Sequence, residues 1–473
     1  MRHTLTISTL TLALWAGMAL AAPPRVSLVP IPRPGPDAVI PAQARPVAEP
    51  EVTRAVEPDE PVSLLAVASS MRPEYRGTPP EGFVEETERM AAERMGRVED
   101  PEFRRWIDGF FARARAQGIT QGTLEAAFTG VQLNTRVLER DANQSEFSRA
   151  LWDYLDSAVS SERVSNGRAA YEEYADELAE IEARYDVDAR VVVAIWGLES
   201  AYGAMRGSTD IIEAMASLAY EGRRRDFFED QLIAALRILQ SGDVRPRNMR
   251  GSWAGAMGHT QFMPTSYLDH AQDFNGDGRR DIWSDNPVDA LASTAAYLAH
   301  FGWERGQPWG VEIRLPDGFD YSLTGERTRR NAAFWRDRGV TLADGGEVPD
   351  HGDASILLPA GSHGVALMIF DNFRVIERYN PADAYVIAVG HLGDRIMGGP
   401  RFRAEWPRGD RVLSGDERRE LQRLLTAAGF ATYGVDGIIG PNTIDAVRRY
   451  QQSIGDTPDG YASLRVLEQL RGS

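Results

Sequence analysis

Apolar residues at a helical spacing recur through the middle of this 473-residue chain, and they limit what it can fold into. Phe103, Ile107 and Phe110 lie three or four residues apart, as one buried face of a helix requires. Thr120 is placed to cap a second helix, and a further helix is expected over Tyr171–Tyr185. The pattern therefore predicts a mainly helical body.

The pattern changes after Trp309, where apolar and polar residues alternate over Val311–Leu315. Short apolar runs at Ile356–Leu358 and Val365–Ile369 predict further strands. A cluster of proline and charged residues at Glu405–Asp410 then separates this body from a final helix–turn–helix stretch. We therefore expect an α+β fold, in which a mainly helical body carries a small β-rich lobe and is followed by a small helical domain.

The composition excludes several classes of function. The formal net charge of -17 argues against nucleic acid as a partner, because proteins that bind it carry a basic patch. The chain has no cysteine, which excludes disulfides, thiolate metal sites, cysteine nucleophiles and a lipid-modified N-terminal cysteine. Packing must therefore supply the stability of the fold.

The N-terminus is typical of a secretory signal, since Arg2 and His3 precede an apolar stretch over Leu10–Leu20 that closes with small residues up to Ala21. A retained membrane anchor is the alternative, but the apolar run is shorter than the roughly 20 residues needed to span a bilayer. We predict a signal peptide at residues 1–21. The mature chain is then expected to be exported and periplasmic, without a transmembrane segment or a lipid anchor.

Proline dominates the next segment, and 14 of the 27 prolines lie between Ala22 and Pro80. Such a composition cannot form a packed core, so residues 22–88 are predicted to be a disordered linker. The linker either gives the body reach toward a bulky substrate or is a pro-region without function. The main domain is then expected at residues 89–400 and the C-terminal domain at residues 412–471.

Glu199 is the most informative charged residue of the predicted body. It follows Val192, Ile195 and Trp196 at helical spacing, on a helix that Asp188 can cap, so it projects from the apolar face. Burial and the nearby helix C-terminus both disfavour the charged carboxylate and raise its pKa, as a general acid requires. A buried glutamate that pairs with an arginine for structure is the alternative.

A second segment favours chemistry over structure. Arg250–Gly258 is dense in glycine and alanine, which lets a ligand approach the backbone closely. His259–Tyr267 then supplies amide, hydroxyl and aromatic groups, the mixture that binds sugars.

Together these segments resemble the lytic murein transglycosylase B family. The resemblance covers about 300 residues, from near Phe103 to Gly398, and implies a lysozyme-like body. One family motif departs from the usual pattern, because the proline expected before Glu146 is absent. The matching pieces are Asp141–Phe147 (DANQSEF), Glu199–Gly203 (ESAYG), Gly255–Gly258 (GAMG), Gln261–Tyr267 (QFMPTSY), Asp371–Asn380 (DNFRVIERYN) and Tyr385.

The resemblance implies cleavage of the β-1,4 bond between N-acetylmuramic acid and N-acetylglucosamine in peptidoglycan, with a 1,6-anhydromuramoyl product. Glu199 would protonate the leaving oxygen and then, as a carboxylate, deprotonate the hydroxyl that closes the ring. A lysozyme-type hydrolase would need a second carboxyl group, and Asp210 and Glu213 stay open as partners. A non-catalytic wall-binding scaffold is the other alternative. The substrate-binding residues implied by the resemblance are Ser252, Gln261, Tyr297, Tyr379, Asn380 and Tyr385.

A cation site is predicted at Asp273–Arg279, where oxygen ligands alternate and a glycine stands sixth, as in the first half of an EF-hand loop. The twelfth position is Ser284 where a glutamate is expected. The resemblance implies a structural calcium ion that Asp289 would close. The ligands would be Asp273, Asn275, Asp277, the Arg279 carbonyl and Asp289, whereas a metal-free turn is the alternative.

The final stretch, Leu421–Leu470, resembles a small three-helix peptidoglycan-binding domain. The resemblance rests on Leu421–Leu425 (LQRLL), Gly434–Pro441 (GVDGIIGP) and Val447–Gln451 (VRRYQ). No catalytic constellation is visible in it. A tethered binder of this kind would raise the local concentration of an insoluble polymer.

Overall fold

A computed structural model describes residues 96–142 and 150–472. The predicted signal peptide and the proline-rich linker lie outside the described residues. So do the first residues of the predicted main domain and most of the motif at Asp141–Phe147, including the position of the missing proline. Among the described residues, no helix combines the length and the apolar character needed to cross a membrane.

Helices dominate the described residues. In chain order they are α1 (Pro101–Ala116), α2 (Gln121–Phe128), α3 (Thr135–Ala142), α4 (Leu151–Ala158), α5 (Ser161–Glu173), α6 (Ala175–Tyr185), α7 (Ala189–Ser200), α8 (Ile211–Glu221), α9 (Arg225–Ser241), α10 (Pro264–His270), α11 (Val288–His300), α12 (Ala332–Arg336), α13 (Asp371–Tyr379), α14 (Asp383–Ile396), α15 (Gly415–Ala427), α16 (Pro441–Ser453) and α17 (Leu464–Arg471).

The strands are short and antiparallel. They are β1 (Arg97–Val98), β2 (Leu133–Asn134), β3 (Thr209–Asp210), β4 (Arg250–Gly251), β5 (Gly310–Arg314), β6 (Thr341–Leu342), β7 (Ser355–Leu357) and β8 (Ala366–Ile369). The last four form one sheet in the order β6-β5-β8-β7, and the other four make two-stranded pairs. This sheet is the predicted β-rich lobe, so the α+β expectation is confirmed.

Two apolar cores hold the helical body together. One surrounds α7 and α14, and the other joins α1, α8 and α9. Each large apolar side chain buried in them stabilises the fold by about 1.5–3 kcal/mol. The lobe has a separate core that includes Trp335 and Met368, and the C-terminal domain has one that includes Leu421 and Val447.

The helix expected over Tyr171–Tyr185 is interrupted. Tyr174 leaves the helical conformation and separates α5 from α6, and its ring packs edge-on against Trp196 at 5.7 Å. Neither glycine nor proline marks the break, so the sequence pattern could not reveal it. The prediction at Thr120 is confirmed, because Thr120 caps α2.

The C-terminal domain contacts the lobe directly and not only through its linker. One Asp459 oxygen accepts hydrogen bonds from the backbone N–H and the hydroxyl of Ser362, at 2.8 and 2.9 Å. The Arg448 guanidinium donates to the Thr324 hydroxyl at 2.9 Å. These bonds tie the domain to the body at more than one place.

Candidate active site

Helix α7 is buried on all sides except at Arg190, which is typical of a helix in the centre of a core. Asp188 precedes the helix as predicted, but its carboxylate accepts from Trp303 and from the Gly306 N–H. Glu182 accepts from the first N–H of the helix instead, at 2.8 Å from Ala189. Neighbouring segments therefore fix the start of α7, which the local sequence could not indicate.

The end of α7 is strained directly after Glu199. The helix stops at Ser200, because Ala201 and Tyr202 both take left-handed backbone angles, with φ of 49° and 58°. Residues with a Cβ rarely adopt this conformation, and it is found preferentially at functional sites. The turn fixes the last helical residues, including Glu199.

Glu199 is buried, with 6% of its surface exposed, and the Tyr385 hydroxyl donates to its Oε1 at 2.6 Å. Burial raises the pKa of Glu199 to about 8, and the hydrogen bond from Tyr385 lowers it in part. Among the described residues, no neighbouring charge contributes to this shift. The carboxyl group is therefore protonated at neutral pH and can act as an acid.

The two other candidate carboxylates are engaged elsewhere. Glu213 is buried, forms an ion pair with Arg97 at 2.8 Å and accepts from Asn134. Asp210 caps α8 by accepting from the Glu213 N–H at 3.1 Å. Both carboxylates are thus held by contacts that maintain the fold.

Three aromatic rings meet at Tyr379, which is close enough to Glu199 to be affected by its charge. The Tyr379 ring lies 5.1 Å from Tyr297 and 6.0 Å from Phe262, and its hydroxyl donates to the Thr260 carbonyl at 2.5 Å. Burial raises the pKa of Tyr379 well above its ordinary value, and the charge of Glu199 adds to this effect. Tyr297 donates to the Arg378 carbonyl, so both tyrosines also support the fold.

Asn380 is fully buried, and only part of its amide is satisfied. Its Oδ1 accepts from the Ala382 N–H at 3.1 Å, whereas Nδ2 has no hydrogen-bond partner among the described residues. The hydroxyl of Thr260 is also buried without a partner there. Buried polar atoms of this kind are costly unless a ligand or water satisfies them. Thr260 was not among the sequence candidates, although it lies between two of the family-like pieces, Gly255–Gly258 and Gln261–Tyr267.

Gln261 and Ser252 shape the loop that they belong to. Gln261 has a left-handed backbone, with φ of 54°, and its Nε2 donates to the carbonyls of Arg206 and Gly258. The Ser252 hydroxyl accepts from the Ala256 N–H at 3.0 Å. Both roles are structural. The side-chain amide oxygen of Gln261 remains as the group that can bind a ligand.

A network around His259 was missed by the sequence reasoning. Its Nδ1 accepts from the Trp196 indole at 3.1 Å, and its Nε2 donates to the Ser284 carbonyl at 2.7 Å. Burial, together with the nearby charge of Arg206, lowers the pKa of His259 to about 4. Ser200 donates to the His259 carbonyl at 2.5 Å, so the neutral imidazole and its backbone join α7 to the glycine-rich loop. A single histidine in the sequence gave no indication of these hydrogen bonds.

The predicted cation loop is ordered by its own side chains. Asp289 accepts backbone N–H groups of Phe274 and Asp281, both at 2.9 Å, and therefore holds the loop against α11. Asp273 accepts from the Gly278 N–H through one oxygen, whereas the other oxygen is buried without a partner among the described residues. Asn275 and Asp277 each accept a backbone N–H within the loop. The alternating side-chain oxygens predicted as metal ligands are thus gathered in one loop of the structure.

Comparison with known proteins assigns the family. A family model described as the transglycosylase SLT domain matches residues 102–394, more than half of the chain. The chain belongs to the transglycosylase SLT family. A second model, described as a putative peptidoglycan binding domain, matches residues 414–470.

Individual relatives agree with this assignment. The membrane-bound lytic murein transglycosylase B of Escherichia coli (strain K12) is 29% identical over 359 residues, which cover 71% of this chain and 96% of that protein. SltB3 from Pseudomonas aeruginosa, solved in complex with NAG-anhNAM-pentapeptide, is 50% identical with a TM-score of 0.75, and the match covers 78% of this chain and 99% of that one. Slt35 from Escherichia coli in complex with calcium is 29% identical with a TM-score of 0.54, and the match covers 64% of this chain and 96% of that one. The chain is therefore a peptidoglycan lytic transglycosylase.

Proposed function

We propose that Glu199 carries both proton transfers of the reaction, which breaks the β-1,4 bond between N-acetylmuramic acid and N-acetylglucosamine and leaves a 1,6-anhydromuramoyl end. The observation that supports this most is the isolation of the carboxyl group. Burial raises its pKa to about 8, and its hydrogen-bond partner is the neutral hydroxyl of Tyr385. The anhydro sugar bound by the SltB3 relative is consistent with such a product.

The two steps use one proton site. Protonated Glu199 first gives its proton to the glycosidic oxygen as the bond from that oxygen to the anomeric carbon breaks. The resulting carboxylate then takes the proton of the C6 hydroxyl, whose oxygen bonds to the anomeric carbon. Glu199 ends protonated, and no water is consumed. The Tyr385 hydroxyl stabilises the carboxylate between the steps, because it donates a charge-assisted hydrogen bond.

The neighbouring polar groups are suited to hold the sugar. The unpartnered Nδ2 of Asn380 and the Thr260 hydroxyl can bond sugar or N-acetyl oxygens, and the Gln261 carbonyl oxygen can accept from an N–H. Tyr297 and Tyr379 offer ring faces for apolar sugar surfaces. Ser252 supports the loop from behind.

Mass analysis of products from purified cell wall tests the reaction. We expect muramoyl ends that lack one water relative to the products of a lysozyme digest, with the enzyme lacking the Glu199 carboxyl as the inactive reference. Reducing muramic acid ends would instead support hydrolysis. Wall cleavage that survives Glu199→Gln would move the acid to another residue.

We also propose a structural calcium ion in the loop at Asp273–Arg279. The unpartnered Asp273 oxygen and the alternating donors fit a hard cation with oxygen ligands. Asp273, Asn275, Asp277 and Asp289 would bind through side chains, and Arg279 through its carbonyl. The relation to Slt35, solved with calcium, supports this assignment. The ion would join the loop to α11 and would supply no chemistry at Glu199.

Melting curves test the calcium site. Adding calcium to chelator-treated protein should raise the melting temperature by about 5 °C or more when the ion is in large excess over its Kd. Asp277→Ala should abolish this rise. Asp269→Ala removes an exposed acid just before the loop and should preserve it. A wild-type melting temperature that does not change when calcium is added would refute the site.

Export to the periplasm completes the proposal, since peptidoglycan lies outside the cytoplasm and residues 1–21 are typical of a signal peptide. N-terminal sequencing of the protein recovered from the periplasm should begin at Ala22. A mature protein that retains Met1 would contradict the cleavage.

A further inference from the structure

A cavity of about 700 Å³ lies where the body passes into the segment that leads to the C-terminal domain. We call it the junction pocket and define it by Ser160, Ser161, His391, Arg395, Arg401 and Phe402, which line it. Tyr385 and His391 are six residues apart on α14, so their side chains point roughly 120° away from each other. The junction pocket is therefore separate from the Glu199 site.

The junction pocket carries a net positive charge, because three arginines line it against the two carboxylates of Asp156 and Glu405. Arg395 and Arg401 form no ion pair with any described residue, although the whole chain has a net charge of -17. Burial lowers the pKa of Arg395, and the nearby Arg401 and Arg168 lower it further. The third lining arginine, Arg408, is neutralised by Asp156 at 2.7 Å. Arg395 and Arg401 therefore face one further lining carboxylate, Glu405, and one positive charge is left in excess.

His391 adds a largely buried ring whose nitrogens are not fully enclosed by the described residues. Its ring is stacked on Phe402 at 4.0 Å, 8% of the residue is exposed, and no described residue forms a hydrogen bond with it. Burial lowers the pKa of His391 to about 4, with Arg395 and Arg401 contributing, so the imidazole is neutral. A neutral imidazole offers one donor and one acceptor, which suits a peptide group better than a bare anion.

The start of α5 faces the same pocket. Ser160 caps this 13-residue helix by accepting from the Arg163 N–H, and Ser161 is its first residue. The N-terminus of a helix carries partial positive charge and free N–H groups that favour anions. The start of α5 therefore attracts an anion, as the two arginines do.

We propose that the junction pocket binds the terminal carboxylate of a short peptide, with the guanidiniums of Arg395 and Arg401 holding the carboxylate and His391 bonding the adjacent peptide group. Apolar walls from Leu155, Val159 and Trp406 would accept small alkyl side chains, which an inorganic oxyanion would not use. The assignment to stem peptides of peptidoglycan rests on the proposed function. The pocket would let the enzyme hold a stem peptide away from Glu199.

Calorimetric titration of the full-length mature enzyme with D-alanyl-D-alanine tests the proposal, because this dipeptide has no glycosidic bond to cleave. We expect saturable binding that weakens by about tenfold or more when the dipeptide carboxylate is replaced by an amide. Arg401→Ala should weaken binding to a similar extent. Arg401 is exposed, so this variant should fold, and Arg403→Ala removes an exposed neighbour outside the pocket as the matched control.

Several results would overturn the proposal. One is the absence of saturable binding, and another is equal affinity for the dipeptide and its amide. Inorganic phosphate binding as tightly as the dipeptide would indicate a general oxyanion site instead of a peptide site. Unchanged binding in Arg401→Ala would place the ligand elsewhere. None of these results depends on the product analysis, so the pocket and the reaction can fail separately.

Discussion

The pKa values of Glu199, Glu377 and Asp383 are all strongly raised, but their surroundings differ. Glu199 has no carboxyl neighbour that shifts its pKa among the described residues, and burial raises this pKa to about 8. Glu326, Glu377 and Asp383 instead form a cluster in which the carboxylate oxygens lie within 4.8 Å of one another. In the cluster, burial raises the pKa of Glu377 to about 8 and that of Asp383 to about 7, and repulsion by Glu326 adds to both shifts.

This difference shows that a raised pKa does not by itself identify a catalytic acid. A proton released by one member of the cluster changes the charge that its neighbours experience, so the groups titrate together. Among the described residues, the hydrogen-bond partner of Glu199 is a neutral hydroxyl donor, so Glu199 can lose and regain its proton without changing the charge of that partner. An acid that must become a base within one turnover needs this isolation.

The largest expected effect comes from removing each carboxyl in turn. Glu199→Gln should reduce wall cleavage by about 10²–10⁴-fold, the usual contribution of general acid–base catalysis. Glu377→Gln removes a carboxyl of similar pKa from the cluster and should retain most of the activity. Release of soluble muropeptides measures both variants. A comparable loss of activity in Glu377→Gln would contradict this distinction, since the cluster would then take part in the reaction.

A smaller effect is expected from Tyr385→Phe. The hydrogen bond from Tyr385 lowers the pKa of Glu199, so its loss should move the alkaline limb of the pH profile of kcat/KM upward. The maximal rate should fall by about tenfold, because the carboxylate between the two steps loses a stabilising donor. Tyr202→Phe, which removes a hydroxyl bonded to the Arg163 carbonyl, should leave the limb in place. A limb that moves downward would contradict the assignment.

Local spacing predicted the helix that carries Glu199 and three of the four strands of the lobe, because these depend on residues close in sequence, whereas the two-residue strand β6 was missed. The partner of Glu199 is different, since Tyr385 is 186 residues away and only the packing of α14 against α7 brings the two together. The same holds for His259, whose partners Trp196 and Ser284 belong to other segments. The family resemblance, and not the spacing, placed Tyr385 among the candidates.

Stability measurements at different pH values test the raised pKa values of the cluster. In the unfolded chain Glu377 ionises near its ordinary pKa of 4.5, whereas in the folded enzyme it keeps its proton up to about pH 8. The folded state therefore loses stability as pH rises from the first value through the second, since ionisation is easier after unfolding. Gln cannot ionise, so Glu377→Gln should melt at about the same temperature as the wild type at low pH and about 2 °C higher at pH 8.

Asp383→Asn provides the matched variant for this measurement, because repulsion within the cluster predicts a gain of the same sign. Glu199→Gln should also gain stability as pH rises, since burial alone raises the pKa of Glu199. The two sites then separate in the double variants. Combining Glu377→Gln with Asp383→Asn should give less than the sum of the single gains, because each removes the same repulsion. Combining Glu377→Gln with Glu199→Gln should be additive, and additivity within the cluster would show that its carboxyls do not repel one another.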